Sequence, residues 1–321
     1  MIPFVSLLAA GLVWLAGAQD PAGAPTGGGQ AVFRARTDLV TLSVAVTDAR
    51  EQHVTGLGPD DFVVVEDGRP QAIRFFASTE VPLDVVLLID TSSSMADKLE
   101  PSRQAAGRFL ASLRPIDRAA LVEFNTRVRI LQPLTSDTAA VELALASTRA
   151  GGSTALYTGI YVALDHFTKL PRPDGDVRKS AIVVLSDGQD TASLIGEDDV
   201  TERARRAGVP LYFVSLLSSE QEQEASAVGR RRSTPQDFVL NTLARETGAR
   251  AFFPRRLEDL DGVYDAVARE LSLQYTLAYA PEAVSADGRF RRVLVRVIHH
   301  PDARPRTRAG YYAPGSTARA R

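Results

Sequence analysis

Three short strings in this 321-residue chain gather oxygen donors where a cation could be held. Asp90-Thr91-Ser92-Ser93-Ser94 follows an apolar run at 85–89, and Ser186-Asp187-Gly188 follows another at 181–185. Between them in sequence, Gly151-Gly152-Ser153-Thr154 precedes a helical pattern. Ligands of open α/β sheets bind outside the carboxyl ends of the strands, so these strings are predicted to meet on one edge. Two carboxylates, Asp90 and Asp187, with the hydroxyls of Ser92, Ser94 and Thr154, make an all-oxygen set suited to a hard cation, Mg2+, Mn2+ or Ca2+. Ser153 is an alternative to Thr154. Asp190, three residues past Asp187, reads as a solvated loop carboxylate. Each residue taken alone could be a helix cap, but capping the first helix does not call for Thr154 and Asp187 on other elements.

Other chemistries lack their parts. With no cysteine there are no disulfides, thiolate metal sites or cysteine nucleophiles. None of the four histidines stands in a His-Glu-x-x-His spacing. His166 falls off the apolar stripe of its helix and reads as a surface residue, His299-His300 point to opposite faces of a strand end, and His53 sits in a polar loop. A phosphatase of the haloacid dehalogenase type would need an aspartate two residues after Asp90, where Ser92 stands. No Gly-x-x-x-x-Gly-Lys-Ser/Thr phosphate loop occurs. A net charge of -2, from 37 basic and 39 acidic side chains, gives no general attraction to nucleic acid. The chain therefore reads as a binder and not an enzyme. A metal-dependent hydrolase and a structural cell-envelope protein with an idle metal site are the alternatives.

The strings need a scaffold, and the hydropathy pattern supplies one. The runs at 85–89, 181–185 and 211–214 are continuously apolar, the mark of strands buried on both faces in a parallel sheet. Helical stripes lie between and after them: Ala106, Phe109, Leu110 and Leu113; Leu156, Ile160, Ala163, Leu164 and Phe167; Leu260, Val263, Tyr264, Val267 and Leu271. Residues 82–271 are thus predicted to form a doubly wound, mostly parallel α/β domain, Rossmann-like in layout. Its first helix is expected just after Ser94, with a positive end facing any incoming anion.

Both flanks alternate instead. Val40, Leu42, Val44 and Val46 mark one strand, residues 62–66 with the turn pair Asp67-Gly68 and then Ile73 and Phe75 a hairpin region, and Tyr275, Leu277, Tyr279, Val293, Val295 and Val297 the later strands. The segments 31–81 and 272–314 together hold roughly 94 positions, close to the roughly 100 of an immunoglobulin-like β-sandwich. The predicted arrangement is one split sandwich with the α/β domain inserted, and two independent β appendages are the alternative. Residues 1–18 read as a signal peptide ending Ala16-Gly17-Ala18, followed by a flexible linker at 19–30; 315–321 read as a tail. The apolar run of about 15 residues would span only about 22 Å of a hydrocarbon core of about 30 Å, which favours cleavage over a membrane anchor. The expected location is therefore the periplasm, the cell surface or the medium, with no membrane insertion after cleavage. A polar stretch at 218–236, carrying Arg230, Arg231 and Arg232, is expected to be a solvated loop on the same edge as the cation site.

Asp90-x-Ser92-x-Ser94, the Gly-Gly-x-Thr turn at Thr154 and the strand-terminal Ser-Asp-Gly at Asp187 together resemble the metal-ion-dependent adhesion site of von Willebrand factor type A (VWA) domains. The flanking phrases "GLGPDDFVVVEDG" from Gly56 and "RAGYYAP" near the end also resemble exported bacterial proteins of that family with β-rich flanks. The resemblance implies that Ser92 and Ser94 ligate the ion directly, that Thr154 does so directly or through water, and that Asp90 and Asp187 hold ligand waters. It further implies a protein partner offering an Asp or Glu carboxylate, because an ion held mainly by neutral ligands keeps charge for an incoming anion.

Overall fold

A computed structural model describes residues 39–78, 81–170, 178–217, 233–281 and 287–315. The segments read as signal peptide and linker, residues 316–321 of the tail, and Arg230, Arg231 and Arg232 lie outside these described residues.

At the centre is a six-stranded sheet in the order β10-β9-β8-β5-β6-β7. Its strands are β5 (Leu83–Asp90), β6 (Arg118–Phe124), β7 (Val128–Thr135), β8 (Lys179–Ser186), β9 (Leu211–Ser215) and β10 (Ala251–Phe252). All neighbours run parallel except the edge pair β6 and β7. Every residue of β5 is buried, and alternation explains how. Val85, Leu87 and Ile89 pack into one apolar cluster with α1 (Leu99–Ala111), α2 (Thr138–Ser147) and α6 (Leu260–Leu273). Val86 and Leu88 pack into the opposite cluster with α3 (Leu156–Lys169), α4 (Glu197–Ala207) and α5 (Pro235–Thr247). Strands covered on both faces favour apolar residues at successive positions, which is why the runs at 85–89 and 181–185 do not alternate.

The flanks form two four-stranded sheets, β13-β1-β11-β4 and β14-β12-β2-β3. Here β1 is Val40–Thr47, β2 Phe62–Glu66, β3 Arg69–Gln71, β4 Ile73–Ala77, β11 Tyr275–Tyr279, β12 Phe290–Val297, β13 Arg304–Arg306 and β14 Gly310–Tyr312. Each sheet mixes strands from the two ends of the chain: β1 pairs with β11 and β13, and β2 with β12. Leu42, Val44, Phe62 and Val64 from one segment share an apolar cluster with Tyr275, Leu277, Tyr279, Val293 and Val295 from the other.

Local chemistry sets the details. Asp67 and Gly68 both take positive φ (46° and 83°) in the two-residue turn joining β2 to β3, the geometry that matches strand twist in a hairpin. The strand expected beyond that turn is divided. β3 stays with β2, whereas β4, with Ile73 and Phe75, crosses to pair with β11 in the other sheet. The first helix also differs from expectation. Ser93–Met95 is a 3-10 turn, and α1 starts only at Leu99, with Lys98 at its N-cap, so the helix end is set back from Ser94.

Candidate functional site

β5 and β8 are neighbours in parallel register, with Ile89 opposite Leu185, so their ends deliver Asp90 and Ser186 side by side. Ser186 donates from Oγ to Asp90 Oδ2 at 2.5 Å, and the Ser92 amide donates to Asp90 Oδ1 at 2.8 Å. Asp90 is fully buried and both of its oxygens are engaged. Burial, reinforced by the nearby Asp187 charge and opposed by the hydrogen bonds from Ser186 and Ser92, pushes its carboxyl up to about 6.

The turn after Asp90 is pinned from below and from the side. Met95, with no exposed surface, anchors it in the core. The Ser93 amide donates to Gly152 O at 2.9 Å, and the Gly151 amide to Thr91 O at 2.8 Å, which locks the two glycines against the serine turn. Gly152 has φ 85°, and a Cβ there would fall 2.5 Å from Thr126 Oγ1. That hydroxyl accepts from the Ser153 amide, so glycine is required by conformation and by space.

All five predicted oxygen donors converge. Ser92 Oγ and Ser94 Oγ lie 3.1 Å apart, and Ser94 Oγ donates to Asp187 Oδ1 at 2.7 Å. Thr154 Oγ1 and Ser94 Oγ both flank Gly188, 3.5 and 3.9 Å from where its Cβ would stand. Asp90, Ser92, Thr154 and Asp187 are buried, and Ser94 is exposed at the mouth. Ser153, the alternative to Thr154, is exposed. Among the described residues no three His, Cys, Asp or Glu side chains converge as a metal cluster, so any ion here depends on the hydroxyls.

One neighbour escaped the sequence reading, and a second is held differently from the expectation. Lys98 turns back from the N-cap of α1 to put Nζ 2.6 Å from Asp187 Oδ2, with side-chain exposures of only 4% and 0%. No spacing rule applied to "MADKLE" marks a lysine that folds inward. Asp190 is not simply solvated: it accepts from the Tyr157 amide at 3.2 Å and from Ser193 Oγ at 2.5 Å, capping α3 and closing the 187–193 loop over it. His166 is also half-buried rather than on the surface, and its Nε2 has no hydrogen-bond partner. His299 Nδ1 pairs with Asp61 Oδ1 at 2.9 Å, far along the chain from the site.

The family model for the von Willebrand factor type A domain matches residues 84–265, more than half of the chain. A UPF0353 protein of Mycolicibacterium paratuberculosis is 26% identical over 216 residues, covering 62% of this chain and 64% of that relative. The chain thus spans less than two thirds of that relative's length. Among solved structures, a von Willebrand factor type A protein from Catenulispora acidiphila is similar with a TM-score of 0.50 and 14% identity, over 89% of this chain and 76% of that one. The vWF domain of a type V pili tip protein from Porphyromonas gingivalis is similar at a TM-score of 0.46 and 15% identity, over 60% of this chain and 95% of that one.

Proposed function

Since the chain belongs to the von Willebrand factor type A domain family, we propose that it is an exported, metal-dependent protein-binding module. A divalent ion, Mg2+ first, is held by Ser92, Ser94 and Thr154, with Asp90 and Asp187 behind them. The observation that carries this reading is the spacing of the donors. In an octahedral Mg2+ site with bonds of about 2.0–2.1 Å, adjacent oxygens lie roughly 2.9 Å apart. Ser92 Oγ to Ser94 Oγ at 3.1 Å, the two hydroxyls read as direct ligands, is close to that value.

The ion supplies a charge that draws an anionic oxygen from outside. The protein's own residues orient and shield. Asp90 fixes the Ser92 backbone, Thr154 closes one wall, and Ser94 stands at the exposed mouth where an Asp or Glu of a partner protein would approach. Leu194 and Phe238, 96% and 74% exposed, offer apolar contact surface on the loop that follows Asp187 and at the start of α5. Binding, not turnover, is the reading, because the one ammonium in the set, Lys98, is committed to Asp187. No helix among the described residues is long and apolar enough to cross a membrane, and the leader-like residues 1–18 support export to the periplasm, the cell surface or the medium. The two four-stranded sheets sharing one core support an immunoglobulin-like mount for the module.

The test is thermal unfolding of the full chain with increasing Mg2+ after chelator treatment, alongside pull-down from the cell envelope with and without chelator. Mg2+ should raise the melting temperature of the wild type by mass action and leave Ser94→Ala and Asp90→Ala unmoved. An equal rise in Asp90→Ala would refute the site.

A further inference from the structure

The cation edge is not the only chemically loaded place in the molecule. At the opposite end of the central sheet, where β8 and β9 begin, a cavity of about 210 Å³ lies against the sheet β13-β1-β11-β4. Its floor is the face of that sheet turned away from the apolar cluster. Leu42, Val44, Tyr275 and Leu277 point into the cluster, so Thr41, Ser43 and Thr276 between them point the other way. Gly208–Pro210, before β9, and Arg178–Ser180, at the start of β8, form the opposite wall, and Thr307 and Arg308 close the side. The described lining holds three cations and six hydroxyl-bearing residues but no aspartate or glutamate.

The polar groups there are not balanced by one another. Thr276 is 2% exposed and its hydroxyl has no hydrogen-bond partner; Thr307 Oγ1 and Arg308 Nε are likewise buried without one. A buried polar group left without a partner is costly, so three around one cavity point to a missing acceptor. The charges agree. Arg308 donates from Nη2 to the Thr41 carbonyl at 3.0 Å and has no carboxylate partner among the described residues. Lys179, buried, spends its ammonium on the carbonyls of Leu271 and Gln274. Arg178 shares the single carboxylate of Asp84 with Arg118. Cations shielded from water favour an anion, and the described lining of this cavity offers no carboxylate.

We propose that this cavity is a binding site for a tetrahedral oxyanion, a phosphate or sulfate group, held by Arg308, Thr276 and Thr307 with Lys179 and Arg178 supplying charge. A guanidinium edge with several hydroxyls matches such a group, whose oxygens accept from many directions at once. The cavity has room for five heavy atoms and a few waters of about 30 Å³ each. Because it is built from both the α/β domain and the outer sheet, occupancy would fasten one to the other. The site stands independently of the metal reading.

Equilibrium dialysis of the full chain against labelled inorganic phosphate tests it, with chelator present and at about 0.15 M chloride to screen loose surface binding. Saturable binding of one phosphate per chain is expected, displaced by sulfate and not by acetate. Displacement by a phosphomonoester at lower concentration than by free phosphate would identify a phosphorylated small molecule as the natural source. Arg308→Met should weaken phosphate at least tenfold. Thr276→Val, which keeps the shape and removes the unpartnered hydroxyl, should raise the melting temperature of the anion-free protein while weakening phosphate severalfold. Absence of saturable binding into the millimolar range, or unchanged affinity in both variants, would reduce the cavity to a hydrated gap in the packing and overturn the proposal.

Discussion

Lys98 holds Asp187 Oδ2 at 2.6 Å in a spot nearly closed to water, so a tethered cation already sits beside the proposed ion site. A metal arriving there meets a carboxylate that is half neutralised and a fixed positive charge close by. Lys98→Met should therefore bind Mg2+ more tightly than the wild type. Without metal the variant should be less stable by about 3 kcal/mol, because removing one partner leaves the other charge buried alone. Calorimetric titration and urea unfolding, each with and without Mg2+, check both halves; a weaker Mg2+ affinity in Lys98→Met would mean the ammonium helps to build the site. The five oxygen donors were legible in sequence because each ends a buried strand or precedes a helix, contexts that hydropathy reveals. Lys98 was not, since its role depends on a side chain folding back across a neighbouring loop, and for Asp190 the contacts that hold it were not visible in its spacing.

The loop carrying Gly151 and Gly152 separates two kinds of glycine. Gly152→Ala should cost about 1–3 kcal/mol, since alanine at φ 85° is strained and its Cβ would meet Thr126 Oγ1, and it should blunt the Mg2+ response by shifting the carbonyl that holds Ser93. Gly151→Ala, with nothing within 4 Å of the added carbon, should be nearly silent. Thermal unfolding of the two variants side by side decides the matter. At the other end of β8, Lys179 donates to Leu271 O at 3.2 Å and Gln274 O at 2.8 Å, closing the carboxyl end of α6, and burial pulls its ammonium down to about 8. A lysine whose folded pKa lies below its unfolded one binds fewer protons when folded, so stability rises with pH between about 8 and 10.5 and is level below that window. Relative to Lys179→Met, the wild type should gain about 2 kcal/mol between pH 8 and 9.5, measured by urea unfolding. The type of each long element was readable from its period. The 3-10 turn at Ser93–Met95 and the division of the strand after Asp67-Gly68 were not, because both answer to tertiary contacts, a core methionine in the first case and β11 in the second.

Across the whole molecule, the α/β domain and the outer sheets are joined by a buried polar bridge. Glu270 on α6, 1% exposed, accepts from Tyr212 Oη at 2.7 Å, Gln274 donates to the same Tyr212 oxygen at 2.8 Å, and Arg306 of β13 brings Nη2 to 2.6 Å from Glu270 Oε1. Arg306→Met should destabilise the chain by about 3 kcal/mol, and adding Glu270→Gln should recover much of that, since the pair and not either charge alone is tolerated in the interior. Chemical denaturation of the single and double variants tests the coupling; equal, additive losses would show that the two side chains act separately. Sequence periodicity pointed to two β-rich flanks around one α/β region, but it could not show which strands pair, because register is set by partners more than 200 residues away, as Val40 opposite Tyr279 illustrates. The pairing of Ala77 with Thr276 carries a further consequence. The polypeptide departs from the outer sheet and returns to it on adjacent strands, so the intervening 198 residues impose no stretch on their host. Joined by a tight turn, β4 and β11 would simply be a hairpin. The central domain is in this sense a cartridge: it could be exchanged or dropped while the frame that carries it kept its own hydrogen bonds.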